Sequence, residues 1–362
     1  MNVAGVLKGE FLKLRKRPAV WVCIGILLLL LLAFGYLLSW IVFTYTKPPT
    51  GPNGLPPGVT YAELKKGLYP LHFIQNTLNG GTQLGGVLAL IIGVLSQGSE
   101  YGWGTVKTAF TQRPRRLEWL AGKLVSVALT MLVMTLLLLA MAALTSFVLA
   151  TIDGGDRTWP AAVVILKGIL SAWLIYCFWG FFGFGLATLF RQSAMAIGLG
   201  LAYALVIEAL IFGLLSQFVG DPVRKVQQWF PLANAQYLIQ SFGPPTREVA
   251  ANPRPPFADA THAVTMLLLY CVAFVILSAV FLQRRDVTSC ADVLRPVVVA
   301  DRRLGFGVEV PVVAPGVPVE APAGPAGDAR VGEWALLHPP PRRFGVHPLL
   351  TGSGVGLCWT WL

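Results

Sequence analysis

The stretch KLRKRPAVWVCIGILLLLLLAFGYLLSWIVFTY, residues 13–45, decides the class of this fold. Lys13, Arg15, Lys16 and Arg17 open it, and no charged residue follows until Lys47. A run of that length exceeds the roughly 20 residues a helix needs to cross a hydrocarbon layer about 30 Å thick. Only helices and closed barrels satisfy their backbone in such a layer. A barrel strand reads as about ten alternating residues, whereas this run is continuous and leucine-rich, so it is helical. It is too long for the apolar core of a signal peptide and lacks an Ala-x-Ala cleavage pattern, so it is expected to be a retained first span.

Outward from this run, five further apolar stretches lie at about 71–96, 124–150, 161–190, 194–219 and 262–282. The chain is 55% hydrophobic and 12% charged, too little polar surface for a water-soluble domain. The expectation is an all-α polytopic membrane protein with about six transmembrane helices, its membrane core at 19–288. Lys8, Lys13, Arg15, Lys16 and Arg17 precede span one, and Lys107, Arg113, Arg115, Arg116 and Lys123 lie between spans two and three. Arg191 separates spans four and five, and Arg284 and Arg285 follow span six. Basic residues near span ends stay in the cytoplasm, which puts both termini there. The same rule, with attraction to anionic lipid, accounts for the net charge of +11. No basic stripe with interleaved aromatics suggests nucleic acid. Cys23, Cys177 and Cys271 fall inside spans, and no C-x-x-C pair suggests a metal or disulfide framework.

Residues 1–18 read as a cytoplasmic amphipathic helix, with Val3, Leu7, Phe11 and Leu14 on one face. The loop 46–70 is rich in Pro and Gly and reads as an outer segment. The second outer loop, 220–261, contains Trp229, Phe230, Tyr237 and Phe242 among few charges. A segment that aromatic is expected to dip into the interface or pack across the bundle mouth. The tail 289–362 is Pro/Gly-rich without helical period and is expected to be a disordered cytoplasmic extension.

Catalytic chemistry finds no support in the pattern. His72 and His262 lie near span ends and His338 and His347 in the tail, with no H-E-x-x-H and no paired carboxylates within a span. Gly122-Lys123-Leu124 lacks the remainder of a phosphate loop, so the chain is not expected to hydrolyse ATP or to hold a metal or cofactor. Glu208 stands near the middle of span five, where a carboxylate costs about 3 kcal/mol unless neutral, paired or facing water. It is a candidate for the substrate path, or else a structural glutamate bonded to a neighbouring group. Gly85/Ala89/Gly93 in span two and Ala194/Gly198/Ala202 in span five form four-residue ladders of the kind that pack helices closely or make a dimer seam. The aromatic run of span four (Trp173, Tyr176, Phe178, Trp179, Phe181, Phe182, Phe184) is expected to contact lipid more readily than to line a pocket.

Residues 99–123 are too ordered in pattern for a linker. Thr105 is placed to cap a short helix bearing Val106, Ala109 and Phe110 on one face, and Pro114 to start the next. The succession Glu100-Tyr101, Gly104-Thr105, Lys107, Arg113-Pro114-x-Arg116 and Ala121-Gly122-Lys123 resembles the loop after the second span in permease subunits of bacterial ABC transporters of the ABC-2 type. The likeness extends over about 1–288, through the start Glu10-Phe-Leu-Lys-Leu-Arg, the segment Trp229-Phe-Pro-Leu-Ala-Asn234 and the closing Arg284-Arg-Asp286. It implies a permease of the bacterial cytoplasmic membrane, paired with a second permease chain and with separate ATP-binding subunits that carry ATP and Mg. Glu100, Tyr101, Gly104, Thr105, Lys107, Arg113, Pro114, Arg116 and Lys123 would then couple those subunits to the spans. The substrate class would be hydrophobic, drug-like, lipid-like or peptide. The alternatives are a non-pumping binding, immunity or scaffold protein, and an ion-coupled carrier. The chain departs from such permeases in running on past Asp286.

Overall fold

A computed structural model describes residues 3–47, 60–102, 116–243 and 259–284. The chain divides into a unit of Met1–Ser289 and a second, Cys290–Leu362, which lies outside the described residues. Every regular element among the described residues is a helix. In chain order these are α1 (Val3–Lys16), α2 (Pro18–Tyr45), the short α3 (Tyr61–Lys66), α4 (Phe73–Gly102) and α5 (Arg116–Ile152). After these come α6 (Ala162–Phe190), α7 (193–219), α8 (Asp221–Gln227), α9 (Pro231–Gln240) and α10 (Ala260–Arg284).

Six of them, α2, α4, α5, α6, α7 and α10, are long and apolar enough to cross a membrane. Their outward faces carry Leu29, Phe34, Leu144, Leu166, Leu210 and Leu269, all exposed. So continuous an apolar exterior requires hydrocarbon as its solvent. Two of these helices run past the ends read from hydropathy: α4 continues to Gly102, and α5 begins at Arg116. Glu100 and Lys123 therefore sit within helices rather than in a connecting loop.

The centre of the bundle is the pair α4 and α6, and its closeness depends on glycine. A β-carbon on Gly93 would lie 2.0 Å from the carbonyl oxygen of Gly180, and one on Gly183 2.3 Å from that of Leu90. Gly85 makes room for the ring of Tyr176 and Gly86 for that of Trp179, each at 2.7 Å from the β-carbon position. This arrangement corrects the expectation for span four. Tyr176, Phe178, Trp179, Phe182 and Phe184 are buried inside the protein, not turned to lipid: α4 presents glycines where Tyr176 and Trp179 land, and Phe178 and Phe182 meet Phe274 of α10. Gly85, Ala89 and Gly93 thus form a packing ladder. The other ladder points the opposite way: Ala194, Gly198 and Ala202 are exposed, and Gly198 has nothing within 4 Å of its β-carbon position. The inward face of α7 is instead Ala196, Gly200 and Ala204, with Gly200 against Leu90.

Polar groups inside the bundle are tied to one another. Tyr36, fully buried in a π-helical stretch of α2 (Leu31–Leu37), donates to the Phe73 carbonyl and receives the Ser146 hydroxyl at 3.3 Å. Asn76 donates to the Gly35 carbonyl in the same stretch. At the end of the bundle away from α1, Asp153 joins three elements. It pairs with Lys65 of α3 at 2.7 Å and accepts from the Trp40 indole at 3.0 Å and the Tyr69 hydroxyl at 3.4 Å. A reciprocal Thr60–Glu63 capping box starts α3.

Candidate functional site: a charge clamp between the first helix and two spans

Helix α1 does not lie apart from the bundle. Leu14 is buried, and the face that carries it brings Glu10 and Lys13 against the last turns of α4 and the second turn of α5. On α5, Trp119, Leu120, Lys123, Leu124 and Val127 share the inward face at helical spacing, and all five are buried. The Lys123 ammonium is wholly removed from solvent. It stands 2.9 Å from Glu100 Oε1, 3.3 Å from Glu10 Oε2 and 3.0 Å from the Ser96 carbonyl oxygen. An ammonium has three donors, and these three acceptors match them. The indole of Trp119 lies across it, 4.8 Å from the ring centre.

Lys13 completes the group from the exposed side, at 2.7 Å from Glu10 Oε1 and 3.3 Å from Glu100 Oε1. Two carboxylates and two ammoniums therefore alternate among the described residues. Burial works upward on the Glu10 carboxyl, but Lys123 and Lys13 beside it prevail and hold it below the usual carboxylate range. Burial works downward on Lys13, yet its bond to Glu10 and the charge of Glu100 raise it. Four residues after Lys13, Arg17 reaches across to the Leu95 carbonyl at 2.8 Å, a second tie from the α1–α2 corner to α4.

The geometry makes α1, the end of α4 and the start of α5 one mechanical unit. Glu100 and Lys123 stand on the two helices that precede and follow residues 103–115, which lie outside the described residues. Of the residues assigned to coupling, Glu100 and Lys123 meet here, and Tyr101 is half-buried beside Glu100 in the same last turn. Arg116 opens α5. Gly104, Thr105, Lys107, Arg113 and Pro114 lie outside the described residues, as does the short helix expected around Thr105. The partners supplied by α1, Glu10 and Lys13, were not assigned to coupling; an acidic residue inside a basic apolar-faced helix is the trace they leave in the sequence.

The second candidate, Glu208, lies at the other end of the bundle. It is buried in a π-helical stretch of α7, Ala202–Ile211, and Oε1 accepts the backbone N–H of Leu232 in the first turn of α9. Phe230, which precedes α9, offers no side-chain cap, and Pro231 has no N–H. The carboxylate of another helix thus serves the first free donor of α9, where negative charge is favoured. The aromatic segment before span six is this helix: Ala235, Tyr237, Leu238 and Ile239 are buried, and Trp229 is exposed. Tyr270 donates to the Trp229 carbonyl at 2.7 Å, and Gln75 to the Phe242 carbonyl at 2.8 Å.

A family described as "Protein of unknown function (DUF2705)" matches residues 58–288, more than half of the chain and including Glu100, Lys123, Glu208 and α9. No curated protein matches the chain.

Proposed function

We propose that this chain, which belongs to the DUF2705 family, is the membrane-spanning subunit of an ATP-driven exporter in a bacterial cytoplasmic membrane. In this reading both termini, α1 and the 103–115 loop face the cytoplasm, where basic residues are retained. A separate ATP-binding subunit, carrying ATP and Mg, docks on that loop, and a second permease chain completes the transporter. The transported molecule is hydrophobic, drug-like, lipid-like or peptide.

The observation that carries the reading is the buried Lys123–Glu100 pair at the roots of the loop, extended by Glu10 to α1. A passive connection between two spans has no need of a lysine buried at the cost of several kcal/mol in desolvation. A lever does, because force applied to the loop must reach the helices without being absorbed by local bending. Hydrolysis of ATP belongs to the partner in this division of labour.

The test is purification of the tagged full-length chain in mild detergent with identification of what accompanies it. A stoichiometric ATP-binding protein supports the reading. A chain that purifies alone and inert turns it toward a non-pumping binding or scaffold protein.

A further inference from the structure

We propose that α9 is a lid over the end of the bundle opposite the charge clamp, and that Glu208 is its latch, holding it by accepting the first free amide of the helix. The proposal deepens the exporter reading by assigning the exit side, and it names a positioning residue rather than one that touches the transported molecule.

Three features separate a latch from an ordinary cap. A helix start is normally capped by the residue just before it, yet α9 takes its acceptor from a side chain 24 residues earlier on a different helix. That carboxylate lies where α7 departs from α-helical bonding into a π-helical stretch, a feature concentrated at functional sites. Its second oxygen, Oε2, is buried without a hydrogen bond. The titratable side chains that share its electrostatics are Tyr203 of α7 and Tyr270 of α10, and no lysine or arginine does so among the described residues. Among the described residues the Leu232 amide is therefore served by Glu208 with no ion pair competing for the same oxygen.

What the lid covers follows from Tyr270. Its hydroxyl holds the Trp229 carbonyl at the approach to α9, while its ring packs on Phe178 at 5.9 Å. Phe178 continues through Phe182 to Phe274 and Tyr203, rings of α6, α10 and α7. Lifting the first turn of α9 frees Tyr270 and exposes the edge of this aromatic wall, an apolar surface suited to a hydrophobic molecule leaving the bundle. At its other end α9 keeps the Gln75 bond to Phe242, which makes that end the hinge.

The experiment places a cysteine at Ala235, buried on the underside of α9, in the full-length chain reconstituted in nanodiscs. The rate of modification by a membrane-impermeant maleimide is read at residue 235 by mass spectrometry. Glu208→Leu removes the acceptor of the Leu232 amide and is expected to raise the rate about tenfold in a variant whose thermal midpoint shows it folded. Tyr270→Phe, which removes the second tie while keeping the ring, is expected to raise it as well and decides the matter should Glu208→Leu fail to fold. Rates at residue 235 that stay at the Ala235→Cys parent value in the folded variants overturn the proposal. The readout requires no ATP and no partner, so a failure of the lid is distinct from a failure of the exporter reading.

Discussion

Lys123 and Glu100 face each other at 2.9 Å across α4 and α5, and both side chains are buried. The third member, Glu10, ties this pair to the N-terminal helix.

Removing the Lys123 ammonium takes the buried cation from between Glu10 and Glu100. Lys123→Met is expected to lower stability by about 3–5 kcal/mol. The double change Lys123→Met with Glu100→Gln restores part of that loss, because the carboxylate closest to the lost ammonium is no longer charged. Thermal unfolding in detergent, followed for the two single variants and the double, measures the coupling. Losses that simply add would show that the two side chains do not interact.

The clamp also predicts a pH window. Glu10 is held below its ordinary value of 4.5, so its contribution is complete above that value and is lost as pH falls through the lowered one. Lys13 is raised above its ordinary 10.5, so its contribution is complete below that value and is lost as pH rises through the raised one. Stability against pH is therefore expected to fall at both extremes. Glu10→Gln should flatten the acid limb and Lys13→Met the alkaline limb, as read from thermal midpoints across a buffer series.

The glycines of the central pair set a third expectation. Gly93→Ala puts a methyl group into the Gly180 carbonyl, and neither backbone gives way easily. A loss of at least about 1–3 kcal/mol follows, visible as a lower thermal midpoint and poorer yield on size-exclusion chromatography. Gly198→Ala, on the open face of α7, meets nothing and is expected to stay within about 0.5 kcal/mol of the parent. Equal behaviour of the two variants would contradict the packing described for α4 and α6.

Much of this architecture is legible in the sequence. Six apolar runs give six membrane-length helices because length and charge exclusion are local properties, readable without knowing any neighbour. The aromatic segment before span six is legible as something other than an exposed loop, since Trp229, Phe230, Tyr237 and Phe242 have no reason to face water. Its attachment is not legible, because the bond from Leu232 to Glu208 joins residues whose separation follows no helical period. The aromatic face of span four is misjudged for a related reason. Periodicity marks a face, but only the glycines of another helix, Gly85 and Gly86, decide that Tyr176 and Trp179 turn inward.

The span-five ladder shows the same limit. Ala194/Gly198/Ala202 and Ala196/Gly200/Ala204 have identical spacing on one helix, and spacing alone does not say which set meets a neighbour. Of the clamp, Glu100 and Lys123 stand out through the ABC-2 resemblance, while Glu10 and Lys13 reach them only through the tertiary fold.

The most direct measurement of the central claim is ATP hydrolysis by the complex recovered with the tagged full-length chain, compared with a chain in which Arg113, Arg115 and Arg116 are changed to Glu. The account predicts a stoichiometric ATP-hydrolysing partner with the parent chain and its loss with the variant, which still inserts in the membrane. A parent chain that carries no such partner, or a variant that keeps it undiminished, would contradict the account.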